Sequence, residues 1–289
     1  MRPAVALLGL DIGGSNSRAR LTINGQVVEE RSGPGANVAE IAPHVVESRL
    51  LPLLANLPAN PTACCAGSAG AEVPSGRAML ERVLGSAMPE TRISVVHDTR
   101  LVLAAAGFEA GIALIAGTGS VAYARGKDGR EARAGGWGWL LGDEGSGTWI
   151  VREAARELMR RRDAGEPAGA MGEALMEASG TRSLDAFQGA LYRKSEPGQW
   201  AALAGAVFDS AEADQAAARI VEQAAGWLGV LVDQVRKATA IEGPLVLAGG
   251  LILNQPRLEA AVRGRFPDAV RLEAEPVEGA LRLAAALLA

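Results

Sequence analysis

Leu10-Asp11-Ile12-Gly13-Gly14-Ser15 and Ala116-Gly117-Thr118-Gly119-Ser120 are the stretches whose reading decides the fold of this chain. The first follows the apolar run Ala4–Leu10 and the second follows Gly111–Ile115. Each is succeeded at once by strand-like residues, Ser17–Leu21 and Val121–Ala124. Turns without Cβ atoms let backbone N–H groups converge on an anion at close range. Two related turns, about a hundred residues apart, predict a duplicated fold that grips a polyphosphate between its halves.

At 289 residues the chain can form one large domain or two ordinary ones, and either buries a sound core. Its 48% hydrophobic and 21% charged residues match a globular protein. The 36 glycines exceed the roughly 20 of average usage, so special backbone geometry is used often. A net charge of −4 provides no global attraction to nucleic acid or to an anionic membrane. An anionic ligand must therefore be held locally, by amides and a metal ion. The two cysteines, Cys64 and Cys65, are adjacent and would point to opposite faces of a strand, which fits a reducing compartment and excludes a disulfide framework. Ala4–Leu10 reads as a buried strand and not as a signal peptide. No apolar stretch approaches the ~20 residues of a spanning helix. The expected location is cytoplasmic.

The first hundred residues read as an α/β unit. Ala4–Leu10, Ser17–Ile23 and Gln26–Arg31 are strands, the last two joined at Asn24-Gly25, a strong hairpin signal. Helical spacing covers Val38–Leu54, then Thr62–Ala66 is a strand, Ser75–Met88 a helix, Arg92–His97 a strand and Thr99–Ala106 a helix. This order predicts a mixed sheet covered by helices. The pattern restarts near residue 107. Gly111–Ile115, Ser120–Arg125 and Arg130–Ala134 are strands, with a turn at Lys127-Asp128-Gly129. Residues 148–239 are mostly helical. Pro244–Ala248 is a strand, a helix lies near Pro256–Phe266, Ala269–Leu272 is the last strand and Val277–Leu288 the final helix.

Five pieces carry chemistry. Asp11 sits beside the Gly13-Gly14 turn, where a carboxylate would repel phosphate unless a divalent cation lies between them. It either orients Mg²⁺ while the amides of Gly13, Gly14 and Ser15 hold phosphate, or it is an exposed residue of a tight turn. Gly117-Thr118-Gly119 is a second cradle or a hairpin entry. Neither turn has a Walker ending, and a strand rather than a helix follows each, so neither is a dinucleotide fingerprint. Asp98 ends the strand that runs through His97. There it can accept the proton of an attacking hydroxyl, although position alone favours an N-cap for a helix starting at Thr99. His97 reads as an accommodated strand residue. In Gly135–Gly147, two tryptophans stand among six glycines. Trp faces stack on sugars and Asp143 can accept two hydroxyls; alternatively the tryptophans fill the core under a flexible loop. Leu247-Ala248-Gly249-Gly250 is a strand running into a bare turn that suits adenine, or a plain strand end.

These pieces, in this order, resemble the sugar-kinase, heat-shock-70 and actin ATPase superfamily. Within it the chain is similar to the BadF/BadG/BcrA/BcrD ATPase family, which joins N-acetylglucosamine kinases to the ATPases that activate benzoyl-CoA reductase and 2-hydroxyacyl-CoA dehydratase. The most specific match is Gly-Gly-Trp-Gly followed by Gly-Asp-Glu-Gly-Ser within Gly135–Gly147. The resemblance implies an α/β protein of two ribonuclease H-like (actin-like ATPase) domains, each a mixed five-stranded sheet with helices, and an ATP/sugar cleft. The expected domains are 1–107, with the helix of 277–289 packed on it, and 108–276, with a helical insertion at about 148–240. It further implies an ATP- and Mg²⁺-dependent kinase of the 6-hydroxyl of N-acetylglucosamine, with glucosamine as the alternative substrate. Asp98 would then be the base. Asn37, Gly136, Trp137 and Asp143 would contact the sugar along with Asp98. Gly13, Gly14, Ser15, Asn16, Gly117, Thr118, Gly119, Gly249 and Gly250 would bind ATP, and Asp11 the metal. Small molecules are the expected partners, with a homodimer common in the family. Ser15-Asn16 departs from the Thr-Lys/Arg usual there, with Arg18 as a possible substitute cation. Two readings of other classes remain open: a non-catalytic sugar or ATP sensor, and an iron–sulfur activator, for which two adjacent cysteines supply few ligands.

Overall fold

Asn24 and Gly25 take positive φ, 50° and 82°, the pair of left-handed residues that a tight hairpin matched to strand twist requires. In this computed structural model, which describes residues 4–38, 41–71 and 73–289, that turn closes an antiparallel meander of β1 (Ala6–Ile12), β2 (Asn16–Ile23) and β3 (Gln26–Pro34). Then come α1 (Pro43–Leu54), β4 (Ala63–Ser68), α2 (Pro74–Ala87), β5 (Arg92–His97) and α3 (Asp98–Ala105). β4 and β5 add in parallel beside β1, giving the order β3-β2-β1-β4-β5.

The same topology then recurs. β6 (Gly111–Ala116), β7 (Ser120–Arg125) and β8 (Glu131–Gly135) form a second meander. Six helices follow: α4 (Gly147–Asp163), α5 (Gly169–Ala178), α6 (Leu184–Tyr192), α7 (Pro197–Ala201), α8 (Ala204–Ser210) and α9 (Gln215–Thr239). β9 (Leu245–Ala248), α10 (Gly250–Asn254), α11 (Pro256–Arg265) and β10 (Val270–Arg271) complete a sheet of order β10-β9-β6-β7-β8. The chain ends in α12 (Pro276–Ala286). Two compact units result, Met1–Ala110 with Leu272–Ala289, and Gly111–Arg271.

Several boundaries move from their sequence expectations. β1 begins at Ala6 and runs to Ile12, so Asp11 is a paired strand residue, opposite Arg18 and Gly67, and does not cap the strand. The helix expected from Val38 starts at Pro43, where the fixed φ of proline suits a first turn; Ala39 and Glu40 lie outside the described residues. α3 starts one residue early, at Asp98. Gly249-Gly250 is not a bare turn, because α10 begins at Gly250.

In the first unit Leu8, Leu10, Ile12 and Cys64 face α1 and α2 through Leu50, Leu80 and Leu84. Cys65 and Val96 face the other way, onto Leu101 of α3 and Ala280 and Ala284 of α12. Each fully buried leucine contributes about 1.5–3 kcal/mol. A Cβ on Gly9 would lie 2.8 Å from the Val277 carbonyl oxygen, so the bare backbone is what lets α12 onto this sheet. Burial drives both thiols up, Cys65 to about 12, and neither is a ready thiolate ligand.

In the second unit Ile112, Leu114, Ile150, Leu158, Leu228 and Val232 are all buried in one core. Asp214 organises the helices there. It caps α9 by accepting from the backbone N–H of Ala216 (3.0 Å) and Ala217 (3.4 Å), accepts from Met171 N–H (3.2 Å), and takes a two-pronged bond from Arg161 at 2.8 and 2.7 Å. The Arg161 guanidinium and these amides hold its carboxyl far below the usual carboxylate range.

Candidate active site

Strand register sets the chemistry of the first unit. Ile12, Ser68 and His97 are aligned across β1, β4 and β5, so Asp11 and Asp98 share the carboxyl edge of the sheet, where open α/β sheets present ligand chemistry. Burial, then the nearby Asp98 carboxylate, push Asp11 up to about 7, with Arg18 opposing. Arg18, expected as a candidate phosphate cation, stands across the strand from Asp11 and pairs with Glu275.

Asp98 is not the helix cap. His97 takes that role: its Nδ1 lies 3.4 Å from the Thr99 backbone nitrogen, 2.6 Å from Thr99 Oγ1 and 3.0 Å from Asp98 Oδ1. Burial works against a charge on Asp98, but the His97 ring and the amides of Thr99 and Asp98 outweigh it and hold the carboxyl below its ordinary value. Oδ1 itself is buried, with His97 Nδ1 beside it. With His97 as the cap, Asp98 opens α3 at the carboxyl edge of the sheet. Sequence reasoning passed over His97 because histidine is not a common cap; the His-Asp pair ending a β-branched strand was the available signal.

The Gly13–Ser15 turn is braced by the backbone of the segment after β3. Ala36 N–H donates to Gly13 O (3.1 Å) and Gly35 N–H to Ser15 O (2.9 Å). A Cβ on Gly35 would sit 2.1 Å from the Gly14 oxygen, so this close approach demands glycine. It places Asn37 two residues beyond the turn. A Cβ on Gly14 would meet nothing within 4 Å, and Gly14, Ser15 and Asn16 are all exposed.

In the second unit Asp143 folds back onto the other turn. It takes φ +57°, an uncommon backbone state for a residue with a Cβ. Its Oδ1 accepts from Ser120 N–H at 3.4 Å. A Cβ on Gly119 would lie 2.7 Å from Asp143 Oδ2, so glycine at 119 makes room for this carboxylate. Gly249 adjoins the same turn: at φ +99° its Cβ would lie 2.4 Å from the Ala116 oxygen, and Gly250 N would be 3.7 Å from a Cβ on Gly117. Gly117, Thr118, Gly119, Asp143, Gly249 and Gly250 are thus brought together.

Gly136 hydrogen-bonds Ser120 O at 2.8 Å, but Trp137 turns outward. It is 67% exposed, with the Arg133 guanidinium 4.9 Å above its ring. That rules out core filling for Trp137. Trp139 packs against Trp200, ring centres 5.9 Å apart.

These residues suit Mg·ATP in chemistry. Two hard carboxylates at one edge match a cation that takes one or two carboxylates and completes its shell with phosphate and water. Among the described residues no cluster of three His, Cys, Asp or Glu forms a protein-only cage. The open face over Gly14 leaves room for a phosphate at the backbone.

A three-stranded meander extended by two parallel strands, occurring twice, is the actin-like ATPase and sugar-kinase fold. The chain belongs to the BadF/BadG/BcrA/BcrD ATPase family, whose profile matches residues 8–284, and the family uses ATP. It is 31% identical over 264 residues to an N-acetylmuramic acid/N-acetylglucosamine kinase of Clostridium acetobutylicum, covering 86% of each chain. An N-acetyl-D-glucosamine kinase of Dictyostelium discoideum is 27% identical over 236 residues, covering 76% of this chain and 74% of the relative. Among solved structures, a Chromobacterium violaceum protein described as a candidate N-acetylglucosamine kinase superposes with a TM-score of 0.78 at 26% identity, covering 96% of this chain and 98% of the other. Among the described residues no helix is long and apolar enough to cross a membrane.

Proposed function

We propose that this protein is an ATP-dependent amino-sugar kinase that transfers the γ-phosphoryl group to the 6-hydroxyl of N-acetylglucosamine. The observation that carries the reading is the disposition of Asp98: half-buried, with Oδ1 3.0 Å from His97 Nδ1, and sharing the sheet edge with Asp11. The kinase names of the relatives support the same chemistry.

In the first unit Asp98 accepts the proton of the sugar hydroxyl as its oxygen attacks phosphorus in line. Asp11 would hold Mg²⁺, which when bound neutralises charge on the phosphates. The Gly13-Gly14-Ser15-Asn16 turn offers amides to phosphate oxygens, and Asn37 a side-chain amide to a sugar hydroxyl. In the second unit the Gly117–Gly119 turn binds phosphate, Gly249 and Gly250 flank the nucleoside, and Gly136, Trp137 and Asp143 contact the sugar. The exposed indole offers the ring of a pyranose an apolar face.

Phosphorus NMR of a reaction with Mg·ATP and N-acetylglucosamine tests this. A phosphomonoester on carbon six, absent with the 6-deoxy sugar, is expected. Phosphate on another carbon would overturn the 6-hydroxyl assignment, and inorganic phosphate alone would overturn the kinase.

A further inference from the structure

Thr148, one residue into α4, makes a bond that its helix does not need. Ser146 already caps α4, its Oγ accepting from the Trp149 backbone N–H at 3.2 Å. Thr148 Oγ1 lies 2.9 Å from the Thr118 carbonyl oxygen and 2.9 Å from Ser146 Oγ. A carbonyl only accepts, so Thr148 must give its proton to Thr118. With its one proton given to Thr118, the Thr148 oxygen accepts from Ser146, whose own oxygen accepts from Trp149 N–H. The protons are thereby ordered in one direction, from Trp149 N–H through Ser146 and Thr148 to Thr118. Both hydroxyl residues are buried, and such a chain polarises its members cooperatively. It begins at the positive end of a 17-residue helix.

Beside it, Gly147 N–H donates to the Gly117 oxygen at 2.9 Å. In a trans peptide the C=O and the following N–H point in opposite directions. With the carbonyls of Gly117 and Thr118 both drawn onto α4, the N–H groups of Thr118 and Gly119 both turn away from it, side by side. Successive amides aimed to one side form an anion nest. The same few residues hold the sugar loop: Ser146 N–H donates to Asp143 O (3.0 Å), and Ser120 Oγ to Glu144 O (2.7 Å).

We propose that Thr148, backed by Ser146, is a positioning residue that aims the Thr118 and Gly119 amides at the phosphates of the nucleotide. The proposal rests on the kinase reading above. The Thr148 backbone N–H also reaches the Thr118 oxygen, at 3.4 Å, so Thr148→Val removes the shorter side-chain bond and the relay while Ser146 still caps α4.

The test is calorimetric titration of wild type, Thr148→Val and Thr148→Ser with Mg·ATP and, separately, with adenosine, which has no phosphate. Thr148→Val should weaken ATP about five- to tenfold, the size of one well-placed hydrogen bond, while adenosine stays within twofold. Thr148→Ser, which restores the hydroxyl, should return ATP to within twofold of wild type. Should the valine variant melt early, Thr148→Ala carries the same comparison. An unchanged ATP affinity in Thr148→Val, or an equal loss of ATP and adenosine, would overturn the positioning role while leaving the kinase reading standing. A wild type that binds adenosine no worse than ATP would remove both.

Discussion

The two glycine turns are built on equivalent strand pairs, yet they are held by different means. Gly14 and Ser15 are exposed, and the backbone of residues 35–36 returns over the carbonyls of Gly13 and Ser15. Gly117–Gly119 is half-buried, and to the backbone bonds from Gly147 and Thr148 it adds side chains: Asp143 over Gly119, Thr148 on Thr118, and Ser120 on the loop beyond. The first turn stands beside two carboxylates, the second beside none except Asp143. One five-stranded frame thus carries carboxylates at its edge in the first unit and a carboxylate and hydroxyls folded onto its turn in the second.

The comparison breaks most sharply at Asp98. Asp98→Asn should lower kcat by about 10²–10⁴ with sugar KM within a few-fold, because the amide keeps the shape and loses the proton acceptor; steady-state kinetics decide. Retained turnover would move the base elsewhere.

Next comes the support of the clamped turn. α4, whose first turn holds Thr118, is anchored at its other end by Arg161 on Asp214. Asp214→Ala should cost about 3–5 kcal/mol in denaturant unfolding. The folded carboxyl lies below its unfolded value of 3.8, so its contribution is present above about pH 4 and is lost as pH falls further.

A matched pair of substitutions then sharpens the contrast. Gly119→Ala drives a methyl into the Asp143 carboxylate and should destabilise by about 1–3 kcal/mol. Gly14→Ala meets nothing inside the protein and should leave Tm unchanged, yet lower ATP affinity about tenfold if phosphate approaches that face. Thermal melts and nucleotide titrations read both; an equal loss of stability in the two variants would refute the distinction.

A pH-dependent effect lies at Asp11. Its folded pKa is raised from 3.8 to about 7, so the folded protein keeps a proton that the unfolded chain releases. Burying this carboxyl therefore costs stability progressively as pH rises from about 4 to 7. Asp11→Asn should stabilise the ligand-free protein at pH 8 by on the order of 2 kcal/mol, about half of the full shift because water reaches this edge, with no gain at pH 4.

Much of the frame is legible in the sequence, and the reason is local. Arg92–His97 and Ser120–Arg125 are strands with the expected ends because each is a β-prone run closed by turn or helix residues. Asn24-Gly25 required left-handed backbone and adopts it. The contacts of the site are less legible. Asp143 reaches Gly119 across 24 residues through a left-handed backbone that no spacing rule announces. His97 displaces Asp98 from the cap because its extended backbone places the ring nitrogen on Thr99. The Ser146–Thr148 relay depends on α4 meeting a turn nearly 30 residues earlier. Trp137 reads as a sugar-stacking face, with core filling as the alternative, and only the loop's conformation excludes the second.

The most direct test of the central claim is ADP release with Mg·ATP across N-acetylglucosamine, glucosamine, glucose, N-acetylmannosamine and N-acetylmuramic acid. The account predicts sugar-dependent ADP release, strongest with N-acetylglucosamine. ATP binding with no ADP release on any of these sugars would contradict it.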